Sequence, residues 1–507
     1  MPCTMGYLDI ALAALGVYLI KRLFQAKSRL PLPPGPKGVP ILGNIFEMPS
    51  EKAWLAFEKL SEKHGNLSSM NIFGHCLILV NSAAIAEELL DKRSVSYSDR
   101  PPMVMAGELS GWNKALLMTK YGERFRQIRK YFHQAIGART SIRAFVPIVE
   151  HETLRFAQKV LCDDTRLEAH VRKTAGAIIL RISHGYEVQD GIDPLVELAD
   201  KALEQLSETA APGAYLVDII PILKYIPEWF PGAGFQKTAK RYAKTLQDAA
   251  DQAHNYAKTQ IASGIAPNSF TSRLFEGCSL TETEEDNVKW AAASVYLGGS
   301  DTTVSANYAF FLAMTLYPDV QKKAQAELDV VIGKDRLPTY ADRGSLPYVE
   351  ALFKEILRWN IVAPLTIRRA SKDDVCGGYF IPKDAHVIVN IWHILHDERT
   401  YVNPMEFNPE RFLASEGREP ETDPRNTCFG YGRRICPGLH LAEVSVFMTC
   451  ALSLAVLDVR KTVENGVEIT PEIEYLGGSI CHPAPFKCSI KARSIQAEAL
   501  LSQSNDS

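Results

Sequence analysis

From about residue 82 onward, apolar residues recur at helical spacing along most of the chain, and only a few stretches break that rhythm. Leu67 to Val80 alternates apolar and polar positions around Gly74 and His75, the pattern of a strand hairpin. Short strands are expected again near Val375 to Val389 and after residue 465. The pattern predicts a mainly α chain with minor β. No internal repeat or low-complexity segment precedes the polar tail after Glu498.

One helix stands apart. From about Thr281 to Tyr317 there is no proline, Ser279 with Glu282 and Thr281 with Glu284 have capping-box spacing, and Pro318 stops the run. At roughly three times the average helix length, it is long enough to cross a whole domain. Gly298 and Gly299 sit at its centre, although each costs ~1 kcal/mol relative to alanine. Adjacent glycines there predict that something approaches the helix backbone closely.

The N-terminus is apolar from Met5 to Ile20 except for Asp9, and it runs into Lys21, Arg22, Lys27 and Arg29. That run makes ~24 Å of helix, and recruiting Met1 to Thr4 extends it towards the ~30 Å of a hydrocarbon core. A cleaved signal peptide fits less well, because the start lacks basic residues and no A-x-A-like site precedes Lys27. Residues 1–29 therefore read as a single-pass anchor, oriented by its basic flank with the bulk of the chain on the cytosolic side. Pro31, Pro33, Pro34, Gly35, Pro36, Gly38 and Pro40 cannot continue a helix, so residues 30–45 read as a stiff spacer. Residues 46–507 follow as one large domain without an internal linker.

Composition narrows the function. The chain has 507 residues, 46% hydrophobic and 23% charged, with a net charge of -3, and nothing in that balance points to nucleic acid. None of its ten cysteines forms a CxxC pair or zinc-ligand spacing, which suits a reducing compartment. The sequon at Asn66, Leu67 and Ser68 would then never meet the glycosylation machinery. No G-x-G-x-x-G opening a strand-helix unit and no cysteine run for an iron-sulfur cluster is present, so electrons for any redox chemistry come from outside.

Only Cys436 has neighbours that demand more than a buried thiol. Phe429, Gly432, Arg434, Cys436 and Gly438 match F-x-x-G-x-R-x-C-x-G at every fixed position. In this segment the chain resembles the cytochrome P-450 family. The resemblance implies the P-450 fold, haem b with Cys436 as axial thiolate and metal ligand, and a monooxygenase. A thiolate pushes electron density into iron and favours O–O cleavage. Glycines let the loop pass close to a porphyrin face, and Arg434 can pair with a propionate.

Other residues follow from the resemblance. Glu355 and Arg358, then Arg411, precede the Cys436 loop in the family's order and imply a buried structural charge network; Glu123 with Arg126 and Glu152 with Arg155 share the spacing but not the order. Gly298, Gly299, Ser300, Asp301, Thr302 and Thr303 resemble the oxygen-activation motif, with Thr302 as the hydroxyl nearest oxygen and Asp301 as its acid. Phe429, Gly438 and Gly299 would border the haem, and Arg434, Arg368 and Arg129 would bind it. Arg129 belongs to a W-x-x-x-R element whose tryptophan is here Phe125, which lacks the indole N–H.

The implied partners are O2, a lipophilic small molecule and an NADPH-dependent flavoprotein reductase docking near Arg124, Arg126, Arg129, Lys130 and Arg433. The pocket would draw on Met103 to Met118, Tyr296, Leu297, Val362 to Thr366 and Ile480 to His482, and Tyr215 to Phe235 could dip into the membrane. The implied location is the endoplasmic reticulum membrane, with the N-terminus lumenal and the catalytic domain cytosolic. The whole chain most resembles fungal members that oxidise secondary metabolites, which suggests a terpenoid or polycyclic aromatic substrate. A haem-thiolate isomerase or dehydratase usually lacks the acid-alcohol pair, and a haem-binding sensor would not need Thr302.

Overall fold

Thr281 caps the helix that organises the molecule. Its hydroxyl accepts from the Glu284 N–H while the Glu284 carboxylate accepts from the Thr281 N–H, and the helix then runs Glu282–Leu316. Of the two expected capping boxes, this is the one used. The computed structural model describes residues 30–503 apart from Ser50, Pro212 and Cys278, together with Gly16. The anchor reading of residues 1–29 lies outside them.

The long helix is buried along most of its length, so it is apolar all round rather than on one face. It packs against Leu167–His184, Glu123–Ala135, Gly234–Ala262 and Leu439–Val456. The last of these is the one helix, among the described residues, long and apolar enough to cross a membrane, yet 78% of it is buried inside the protein. Its hydrophobicity serves the core.

The sheets are small. Strands Leu67–Ile72, His75–Val80, His386–Asn390 and Leu365–Arg369 form one sheet in that spatial order, with the middle pair parallel. The first hairpin turns at Phe73 and Gly74, both at positive φ, so His75 is already strand. Asp374–Cys376 pairs with Tyr379–Ile381 near the expected place. The last sheet starts earlier than the sequence pattern predicts, because Leu457–Glu464 follows Leu439–Val456 without a break.

The proline-rich stretch is pinned to the four-stranded sheet and to the Tyr379–Ile381 strand rather than standing free of them. Pro34 O accepts from the Ser69 N–H at 2.9 Å, Pro33 O from the Ser69 hydroxyl at 2.6 Å, and Pro31 O from the Phe380 N–H at 2.8 Å. Prolines that cannot donate still accept, which suits a strand edge.

Candidate active site

The Cys436 loop is built by backbone that only glycine adopts cheaply. Gly432 has φ +59, and a Cβ there would lie 1.9 Å from Leu90 O. The Cys436 N–H donates to Phe429 O at 2.8 Å, closing the loop on itself. Gly438 then starts Leu439–Val456, and a Cβ on it would stand 3.9 Å from Cys436 Sγ. Burial pushes the Cys436 thiol up, opposed by the Gly438 N–H and the positive charge of Arg129. The apparatus that favours a thiolate is thus in place beside the sulfur.

Four guanidiniums surround this loop. Arg129 donates to Ile435 O at 2.7 Å, and Arg434 donates to Ser98 O at 2.7 Å and Thr119 O at 2.6 Å. Arg368, 2% exposed, donates to Thr366 Oγ1 at 2.7 Å, and its Nη2 lies 4.0 Å from where a Cβ on Gly430 would be. Arg100, which the sequence reading missed, donates to Ile367 O at 2.9 Å and leaves its Nε without a partner. No motif spacing marks it.

None of the four forms an ion pair among the described residues, and burial pulls all of them down: Arg100 to about 10, Arg434 to about 9, Arg129 below its ordinary value and Arg368 well below. Mutual repulsion with Arg100 and Arg434 adds to the pull on Arg368. A guanidinium stays protonated in proteins, so this is an unmet demand for negative charge.

On the long helix, Gly298 is exposed with nothing within 4 Å of its missing Cβ, an unusual opening in the middle of a buried helix. Gly299, expected to border the cofactor, packs its side-chain position against a neighbouring helix. A Cβ on Gly299 would meet Ile179 Cδ1 at 2.8 Å, so this glycine admits the Leu167–His184 helix, and Gly298 faces the open side. The Thr302 hydroxyl donates to Gly298 O at 2.8 Å on that side, whereas Thr303 is buried.

Asp301 is clamped from two elements: Oδ1 accepts from Arg172 Nη1 at 3.1 Å, and Oδ2 stands 3.2 Å from His482 Nε2. Burial raises its carboxyl, but His482 and Arg172 outweigh burial and hold it below its ordinary value. Arg172 was not anticipated, and His482 was placed only in the pocket wall.

Three segments converge on the long helix. The Leu116 N–H donates to Ser294 Oγ at 2.9 Å, the Ser305 hydroxyl donates to Cys481 O, and the Cys481 N–H donates to Val362 O at 2.8 Å. Three of the expected pocket segments therefore meet around Gly298 and Thr302. Tyr296 and Leu297 do not line it openly, since both are buried and the Tyr296 hydroxyl donates to Leu195 O. A groove of about 310 Å³ between Leu328, Ile332, Arg493 and Ala497 shares no residue with this site.

The description of one known family, cytochrome P450, matches residues 33–489. The chain belongs to the cytochrome P450 family. It is 49% identical to cytochrome P450 monooxygenase 208 of Postia placenta, over 97% of either chain. It is 45% identical to cytochrome P450 monooxygenase claR of Ampulloclitocybe clavipes, covering 99% of this chain and 93% of that one, and 42% identical to ppsD of Aspergillus oryzae, covering 93% and 90%.

Haem b held by a cysteine thiolate is the defining cofactor of a P450. The residues present fit it: a cysteine with a glycine-bounded approach, and four arginines, Arg368 buried and the others partly so, lacking the carboxylates that propionates would supply. The P450 charge network is also formed. Glu355 accepts from Arg358 at 2.7 and 2.8 Å, from Arg411 at 3.1 Å and from the Asn408 N–H at 2.8 Å, all within a closed interior. Glu421, unforeseen, takes a further Arg411 bond at 2.6 Å.

Proposed function

We propose that Cys436 is the axial thiolate of haem b and that this P450 monooxygenase inserts one atom of O2 into a lipophilic terpenoid or polycyclic aromatic molecule of fungal secondary metabolism. NADPH supplies the electrons through a separate flavoprotein reductase. The observation that carries the reading is the acid-alcohol pair, Asp301 and Thr302, on the open side of an otherwise buried helix. An isomerase or dehydratase would not need it.

Bound haem supplies the redox centre at which oxygen is activated. Arg100, Arg129, Arg368 and Arg434 would hold its propionates, and the Gly438 N–H favours charge on the sulfur. Thr302 Oγ1, which donates to Gly298 O, keeps its lone pairs to accept from a water that would stand at the oxygen site. Asp301 passes protons to that water. Apolar walls from Leu116, Val362 and Ile480 exclude bulk water and favour a lipophilic guest.

Membrane association supports the same reading. Residues 1–29 are the single-pass anchor in the endoplasmic reticulum, with the N-terminus lumenal and the catalytic part cytosolic. Leu216, Ile222, Tyr225 and Trp229 are exposed at 66%, 71%, 76% and 81%, a second apolar contact through which substrate enters. Arg126, Lys130 and Arg433 are exposed beside the loop, and Ile435 among them is partly so. They form a basic surface for the reductase.

The test is Thr302→Ala with NADPH and reductase. The variant should keep haem and consume NADPH while product per NADPH falls about tenfold or more and hydrogen peroxide rises. Equal product per NADPH in both proteins would remove Thr302 from the mechanism.

A further inference from the structure

A clamped carboxylate that spends a proton must be recharged. Asp301 meets charged groups from three directions. Arg172 and Glu168 lie on the Leu167–His184 helix, Asp200 lies on Pro194–Ala210, and His482 comes from the short strand His482–Pro483. Arg172 holds Asp301 at 3.1 Å, and also stands 3.8 Å from Asp200 and 3.7 Å from Glu168. It is the hub of the acidic side, and its guanidinium does not release protons. Asp200 and Glu168 make their ion pairs with that hub rather than with Asp301.

His482 is different on three counts. Its Nε2 stands 3.2 Å from Asp301 Oδ2, its side chain is 18% exposed, and imidazole is the side chain suited to taking up and giving back a proton. Its placement is also fixed. The preceding residue is tied on both sides, Cys481 O to the Ser305 hydroxyl and the Cys481 N–H to Val362 O, and Pro483 follows with a locked φ. A loop that only walled a pocket would not need that anchorage against the one helix carrying the acid.

We propose that His482 is the positioning residue that reloads Asp301. This rests on the reading of Asp301 as the acid of the reaction. The N–H bond at Nε2 of the imidazolium breaks as the O–H bond at Asp301 Oδ2 forms, the neutral ring keeps its Nδ1–H, and Nε2 is reprotonated from solvent before the next transfer. No electron moves. Arg172 keeps the carboxylate in place from the other side and sets the geometry in which the transfer occurs.

Three variants separate the roles. His482→Gln keeps an N–H donor for Asp301 but cannot exchange a proton, His482→Phe removes the contact, and Asp301→Asn removes the acid. Product formation by the reductase-supported wild type should decline as pH rises, because protons reach Asp301 through the ring. His482→Gln should be slower by about tenfold or more and flat with pH. The double variant with Asp301→Asn should be no slower than Asp301→Asn alone.

Infrared spectra give a readout independent of turnover. The carboxyl band that Asp301→Asn removes should persist to higher pH in His482→Phe than in the wild type, because a charge-stabilising contact is gone. A wild-type pH profile and rate in His482→Gln would overturn the proposal and leave His482 as a clamp. Wild-type turnover in Asp301→Asn would overturn the reading of Asp301 itself. Should His482→Gln fail to incorporate haem, His482→Asn is read in the same way.

Discussion

The guanidinium of Arg434 lies over the ring of Phe125, 4.1 Å from its centroid, and the same ring is buried against the Tyr121 side chain. In the W-x-x-x-R element that Arg129 resembles, Phe125 takes the place of the tryptophan. It thus keeps the cation–π support of Arg434 and gives up only the indole N–H.

Phe125→Trp should therefore retain haem at least as firmly as the wild type, and Phe125→Ala should lose it faster. The alanine variant forfeits a buried ring worth ~3–5 kcal/mol to the fold as well as the cation–π contact. Haem transfer to an apo-globin acceptor measures both. Equal transfer rates in Phe125→Ala and the wild type would show that Phe125 does not support the site.

Glu355→Gln should be destabilising by ~3–5 kcal/mol, because Arg358 is left buried without its carboxylate and Arg411 keeps only Glu421. Much of the protein should accumulate without haem. Glu123→Gln breaks a pair of the same spacing, but its partners are 53% and 84% exposed, so its unfolding midpoint should stay close to that of the wild type. Urea unfolding of both variants checks the contrast.

Acid should unfold the protein through its buried histidines. Burial holds His184 and His396 down to about 3 and His386 to about 4, against an ordinary value of 6.5. Each stays neutral in the fold and takes up a proton on unfolding below 6.5. The stability they contribute is present above that value and lost as pH falls towards 3. At pH 5 a single such group costs ~2 kcal/mol. His184→Phe should flatten the fall in the urea midpoint between pH 7 and pH 5, and an unchanged slope would exclude His184.

Local patterns were legible where one segment carries the whole message. The long helix with its Thr281 cap, the Leu67 to Val80 hairpin and the loop at Cys436 each declare themselves through spacing, glycine placement or capping chemistry. Residues that act through distant neighbours were not legible. Arg100 and Arg172 sit on ordinary helical or loop positions, and only folding shows that one lacks a carboxylate and the other grips Asp301. Two adjacent glycines look alike in sequence, yet a neighbouring helix occupies the space beside Gly299 and leaves Gly298 open. The strand Leu365–Arg369 is not legible as a strand, because five residues in a sheet built from both ends of the chain have no local period to reveal them.

The carbon monoxide difference spectrum of the reduced protein tests the thiolate assignment most directly. Wild type and Cys428→Ser should both show the strongly red-shifted Soret band of thiolate-ligated haem, since Cys428 is partly buried, desolvation pushes its thiol up, and it lies outside the motif. Cys436→Ser should lose that band. The same band in Cys436→Ser as in the wild type would contradict the account.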